Sequence, residues 1–284
     1  MKVGVMLPVG DMDGPGGRTP AWADVRATAE AAEESGLDSV WIADHLLARM
    51  PDGTVHGMHD AWTLLSAVAA VTSRVELGPL VLCSSFRSPS VIANMAATLD
   101  TVAGGRLVLG LGAGWHDPEY EAFGFPTDHR VSRFAEALEI VARLLRGERV
   151  TFDGRYYAVS DVSLTPAPSR RIPVLVAAKL PRMLRLTARW ADAWNTAWFS
   201  SPDERLQERL GLLEEAIAAE SRAEPELVRT LGIVVGEEDT PSDVARRLET
   251  WAELGFHHVI AQPEPLTPAS VERLASGVRA YRGR

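Results

Sequence analysis

The 284-residue chain has one cysteine, Cys83, so no internal disulfide can staple it, and that sparing usage suits a reducing compartment. It has no apolar run near the roughly 20 residues a membrane span needs. Positive charge is also short: 29 Lys and Arg stand against 38 Asp and Glu, a formal charge of −9. Such a balance argues against a nucleic-acid surface, which needs clustered cations, and against an anionic membrane as partner. No low-complexity stretch or linker divides the sequence. The opening residues, Met1-Lys2-Val3-Gly4-Val5-Met6-Leu7-Pro8, read as a short strand and lack the long apolar run of a signal peptide. These absences lead to the expectation of a cytoplasmic protein, one domain over residues 1–284, whose partner is a small molecule.

What is present is an alternation of short apolar runs with longer segments of helical period, the signature of βα units around a parallel sheet. Strands are expected at Lys2–Leu7, Ser39–Ala43, Val75–Leu82, Leu107–Leu111, Pro173–Ala178, Ala193–Thr196, Leu231–Val235 and His257–Gln262. The helices between them are expected at about Trp22–Ser35, Trp62–Thr72, Ser90–Ala103, Val131–Arg146, Pro181–Ala191, Asp203–Ser221, Pro241–Leu254 and Pro268–Tyr281. Gly36 follows the first of them as a C-cap glycine would. After the fourth strand comes an insertion, in which Val150–Ser160 reads as a hairpin turning at Asp153-Gly154. Eight strands, each followed by a helix, make an α/β protein of the (β/α)8 TIM-barrel type with one insertion after strand 4. An open doubly wound sheet is the rival, because periodicity does not register closure.

A barrel of this kind does its chemistry at the C-terminal ends of its strands. The second strand ends in Asp44-His45, two adjacent titratable groups that can orient a ligand and move a proton, or simply a capping Asp beside a partly exposed His. The fourth ends in Gly110-Leu111-Gly112-Ala113-Gly114-Trp115. This run fails the dinucleotide fingerprint by one position, but its glycines could let a flat ring approach the backbone, or could serve a tight turn. The fifth ends in Ala177-Ala178-Lys179-Leu180-Pro181-Arg182, where a helix N-terminus beside basic side chains attracts phosphate. His56, His59 and Asp60 lack a further ligand cluster, so no metal is expected and Asp60 reads as a helix N-cap. Cys83, with no histidine paired to it, reads as a small buried residue, and the charged helix near 203–222 as a solvated face.

In order and spacing, these segments resemble the luciferase-like flavin and deazaflavin oxidoreductases. The resemblance runs from Met1 to about Gly255. It rests on Ser39-Val40-Trp41-Ile42-Ala43-Asp44-His45, Thr72-Ser73-Arg74-Val75-Glu76-Leu77-Gly78, Arg87-Ser88-Pro89, Leu99-Asp100 and Gly104-Gly105-Arg106-Leu107. It continues through Leu109-Gly110-Leu111-Gly112-Ala113-Gly114-Trp115, Glu119-Tyr120, Gly124, Arg133, Glu136 and Ala191-Asp192-Ala193-Trp194-Asn195.

The resemblance implies a barrel that binds coenzyme F420, or alternatively FMN, across its mouth. Asp44 would hydrogen-bond the cofactor and His45 would lie near its reactive carbon. A non-proline cis peptide at Leu80–Val81 would buttress the ring, Ala113 and Gly114 would lie along it, and Ala177-Ala178-Lys179 would hold its phosphate. Trp115, Trp198, His56 and His59 would wall the substrate pocket. Relatives commonly carry Gly-Gly or Gly-Ser at the phosphate turn, and the sugar-phosphate dehydrogenase branch has Glu where Trp115 stands here. The implied reaction is hydride transfer to or from a small organic substrate. The alternatives are a two-component FMN monooxygenase and a barrel that binds a cofactor without catalysis. Relatives are often dimers, although no homodimer interface is readable in this sequence.

Overall fold

The structure, a computed structural model, describes residues 1–220 and 227–283. Short strands whose residues are buried on both faces form its centre, as in parallel sheets covered by helices. They are β1 (Lys2–Met6), β2 (Ser39–Ile42), β5 (Glu76–Pro79), β6 (Leu82–Cys83), β7 (Leu109–Gly112), β10 (Val174–Ala177), β11 (Ala193–Trp198), β12 (Val228–Val235) and β13 (His258–Pro263). All pair in parallel in the order β5-β2-β1-β13-β12-β11-β10-β7-β6.

The two end members, β5 and β6, are halves of the single strand expected at Val75–Leu82. They are parted by a cis peptide between Leu80 and Val81, where the resemblance placed one. The first half pairs with β2 and the second with β7. Nine ladder segments are therefore eight strands. The ring closes where Leu77 bridges Leu107: its N–H donates to the Arg106 carbonyl at 3.1 Å, and the Val108 N–H donates to its carbonyl at 2.9 Å. Closure needs glycine at two places. A Cβ on Gly78 would stand 2.2 Å from the Val108 carbonyl oxygen, and one on Gly110 would stand 2.1 Å from that of Pro79. The open-sheet rival is excluded.

Helices α1 (Trp22–Glu34), α2 (Ala61–Val71), α3 (Pro89–Val102), α5 (Arg130–Leu145), α6 (Pro181–Trp190), α7 (Glu204–Ala219), α8 (Pro241–Glu253) and α9 (Pro268–Arg282) ring the barrel, within two residues of expectation. Ser221, the expected end of α7, lies outside the described residues. Differences of this size are ordinary at frayed ends. Two elements are additional to the expectation. A small hairpin, β3 (Leu47–Arg49) with β4 (Val55–Gly57), occupies the His-rich loop after β2, and α4 (Asp117–Phe123) follows β7. Both are too short for a periodicity to show. The second hairpin, β8 (Val150–Asp153) with β9 (Ala158–Val162), turns at Asp153-Gly154 as expected. Glu136 on α5 holds it, accepting the N–H groups of Arg155, Tyr156 and Tyr157 at 2.9–3.0 Å.

Apolar side chains form two layers. Outward-facing strand residues such as Val3, Val5, Val40, Leu77 and Val259 pack against the helices. Met6, Trp41, Leu175, Ala193 and Ile260 fill the barrel itself, with half-buried Ala43, Leu80 and Val81 packed on that inner group. No helix among the described residues is long and apolar enough to cross a membrane.

Candidate active site

At the C-terminal end of β2 the chain leaves the barrel through Asp44 and His45, which the structure treats very differently. Asp44 is sealed: its side chain has no exposure, and both carboxylate oxygens are taken. The Arg87 guanidinium reaches them at 2.8 and 3.2 Å and the Cys83 N–H donates at 2.9 Å. Burial raises the Asp44 pKa, while Arg87 and the Cys83 N–H oppose that rise. Arg87 also donates to Asp60 at 2.9 Å, and Asp60 caps α2 by accepting the Thr63 N–H at 2.8 Å. The carboxylate expected to meet the cofactor thus ties β2 to the split strand and to α2.

His45 is half-buried and keeps one edge open. Its Nδ1 lies 3.0 Å from Oε1 of Glu119, a residue of α4 that is 1% exposed. The Leu46 N–H donates to Oε2 of the same carboxylate at 3.0 Å. The Trp115 ring stands edge-on to the imidazole at 5.6 Å, and His116 follows at 6.5 Å. Trp115 is 71% exposed. His116 in turn accepts the Arg49 N–H of the hairpin at 3.0 Å, so the loop after β7 and the loop after β2 are clasped together. Glu119 is the residue that sequence reasoning missed. Its place in the family motif was visible, but its partner lies 74 residues away, and no local pattern joins them.

The glycines after β7 are needed for packing within the chain. A Cβ on Gly112 would meet the Val81 side chain at 2.6 Å. Gly114 has φ +76°, and a Cβ there would come within 1.8 Å of the Tyr120 hydroxyl. That hydroxyl donates to the Ala113 carbonyl at 2.9 Å and lies 3.0 Å from Cys83 Sγ. Cys83 is buried as expected, but in polar company, and burial pushes its thiol up to about 11, away from the reactive thiolate.

Across the mouth, Ala177 ends β10, and Ala178 donates its N–H to the Asn195 carbonyl at 3.1 Å. Lys179 is exposed at the start of the turn into α6. Its pKa is lowered by partial burial and by the nearby Arg209, which is itself held by the Thr196 carbonyl at 2.7 Å. A register shift late in β11, with Ala197 at φ 78°, turns Trp198 outward to 41% exposure, its ring against Gly232. The other two expected pocket residues are engaged by a neighbouring loop. His56 bonds Asp11 at 2.9 Å and His59 bonds the Pro20 carbonyl at 2.8 Å, both in the loop between β1 and α1. No cluster of metal-ligating side chains occurs among the described residues.

The chain is similar to two bacterial proteins named F420-dependent glucose-6-phosphate dehydrogenase. The one from Kineococcus radiotolerans is 37% identical over 80% of this chain and 68% of its own length. The one from Microbacterium testaceum is 32% identical over 86% and 76%. Among solved structures, an F420-dependent secondary alcohol dehydrogenase superposes with a TM-score of 0.81 at 18% identity, covering 99% of this chain and all of its own, a likeness of fold. The profile of the luciferase-like monooxygenases matches residues 1–276, and the chain belongs to that family.

Proposed function

We propose that this protein is an oxidoreductase that transfers a hydride between coenzyme F420 and a small organic molecule in the cytoplasm. The observation that carries the reading is the barrel mouth, where a half-open histidine stands beside an exposed indole at the end of an apolar barrel interior. Relatives 37% and 32% identical over 80% and 86% of this chain are named for F420.

The residues present fit such a cofactor. Ala43, Leu80 and Val81 continue the barrel's inner apolar layer upward and offer a flat ring a dry floor. Burial, and after it the charge of Arg209, lowers the Lys179 pKa, and an anionic phosphate at this turn would offset both. Ala177 and Ala178 lead into that turn, and Ala113 and Gly114 border the floor on the β7 side. When bound, the cofactor supplies the ring carbon that accepts or gives the hydride. The protein does the rest. Trp115 and Trp198 exclude water, Asp44 acts through Arg87 to hold the surrounding loops, and His45 Nε2 takes or returns a proton. Trp115 gives the pocket an apolar wall where the sugar-phosphate branch has a carboxylate, so the substrate inferred here presents an apolar face. His56 and His59 border the pocket only through the loop they brace.

Fluorescence titration of the purified protein with F420 and, separately, FMN tests the reading. Binding of the deazaflavin in preference to FMN is expected. Preference for FMN, with oxygen-dependent turnover, would move the assignment to monooxygenase chemistry, and failure to bind either would leave a barrel without this catalysis.

A further inference from the structure

Resting on the hydride-transfer reading, we infer that Glu119 is a positioning residue that fixes His45 as the Nδ1–H tautomer. His45 Nε2 then becomes the acceptor for the proton of a substrate hydroxyl.

A carboxylate only accepts hydrogen bonds, so the imidazole nitrogen 3.0 Å from Glu119 Oε1 must be the one that carries hydrogen. In a neutral imidazole the other nitrogen is then a lone-pair acceptor. Glu119 cannot swing away from this duty. Its second oxygen is held by the Leu46 N–H at 3.0 Å, and the whole residue is 1% exposed. Trp115 and His116 stand edge-on to the ring at 5.6 and 6.5 Å. Among the described residues no hydrogen bond occupies Nε2, and the His45 side chain is 23% exposed.

Such a base suits oxidation of an alcohol. The hydroxyl proton moves to Nε2 while the C–H electron pair leaves as hydride to the F420 ring carbon. The substrate carbon and oxygen become a carbonyl, and the cofactor is reduced. The opposite tautomer would point a hydrogen at the hydroxyl and could not accept its proton.

Two-bond 1H–15N correlation of the protein without cofactor, labelled at its histidines, reads the tautomer directly; the His45→Gln spectrum assigns the signal. The Nδ1–H form is expected. Glu119→Gln is nearly isosteric, and its carbonyl can keep the Leu46 N–H. Its NH2 then faces Nδ1 and inverts His45 to the Nε2–H form. Turnover by this variant should fall on the order of 10⁴-fold, as an inverted histidine tautomer does in a serine-protease triad, while F420 affinity stays unchanged. A wild-type signal from the Nε2–H form, or an Nδ1–H form that survives in Glu119→Gln, overturns the inference. Should the variant not fold, the wild-type spectrum alone decides. The F420 titration reports separately on the hydride-transfer reading.

Discussion

His258 and His45 lie at opposite ends of one barrel, and the structure makes opposite use of them. At the N-terminal end the Trp41 indole N–H donates to Ser39 Oγ at 2.7 Å, and that oxygen lies 2.8 Å from His258 Nε2. His258 is buried there. Burial pushes its pKa down to about 3, with the charges of Lys2 and the N-terminal amine adding to the effect. At the mouth His45 has an anion on one nitrogen and an open edge on the other. A buried polar group satisfied on every side stabilises one arrangement; a group satisfied on one side and open on the other can do work.

That contrast makes acid the largest lever. His258 is proton-free when folded and binds a proton near 6.5 when unfolded, so its contribution is complete above that pH. It declines as pH falls from 6.5 towards 3, with a slope of about 1.4 kcal/mol per pH unit and roughly 5 kcal/mol in all. Denaturation of wild type and His258→Gln from pH 7 to 4 should show the variant losing stability less steeply. Parallel curves would mean that the two histidines are not the opposites described here.

A second test breaks the mouth instead. Asp44→Ala leaves Arg87 half-paired, with Asp60 as its remaining carboxylate, and should destabilise the protein by about 3 kcal/mol, the lower end for a broken buried ion pair. Chemical denaturation measures this. Asp60→Ala, which removes a helix cap and the outer arm of the same ion pair, should cost about 1 kcal/mol. Equal costs would show that the sealed aspartate is not the anchor.

A further test separates packing from binding. Gly4→Ala places a Cβ 2.0 Å from Ser39 Oγ and 2.8 Å from the Trp41 indole nitrogen. Such overpacking should cost about 1–3 kcal/mol, leaving F420 affinity unchanged. Gly114→Ala, at φ +76° against the Tyr120 hydroxyl, should lower both stability and F420 affinity. If Gly4→Ala weakened the cofactor as well, the two ends would be coupled rather than independent.

The eight βα units were legible because each is a local pattern: alternating apolar runs, a C-cap glycine at Gly36, an N-cap at Asp60, a hairpin turn at Asp153-Gly154. The order of motifs from Asp44-His45 to Trp194-Asn195 carried the family, and with it the non-proline cis peptide at Leu80–Val81. Other features were not legible because their cause is distant in sequence. The glycines of the Gly110–Gly114 run answer to Pro79, Val81 and Tyr120, which press on them from other elements. Nothing near Asp44 in sequence announces Arg87 and the Cys83 N–H that enclose it.

By itself, then, the sequence determined the repeating strand–helix units, their number and the ends at which chemistry can occur, since these follow from hydrophobic period and turn residues within a few positions of each other. Only the tertiary structure decided that the ring closes through Leu77 and Leu107, that Asp44 is sealed and that Glu119 faces His45. Those outcomes depend on which distant backbone and side-chain groups meet, and hydrogen-bond geometry between them exists only once the barrel has closed.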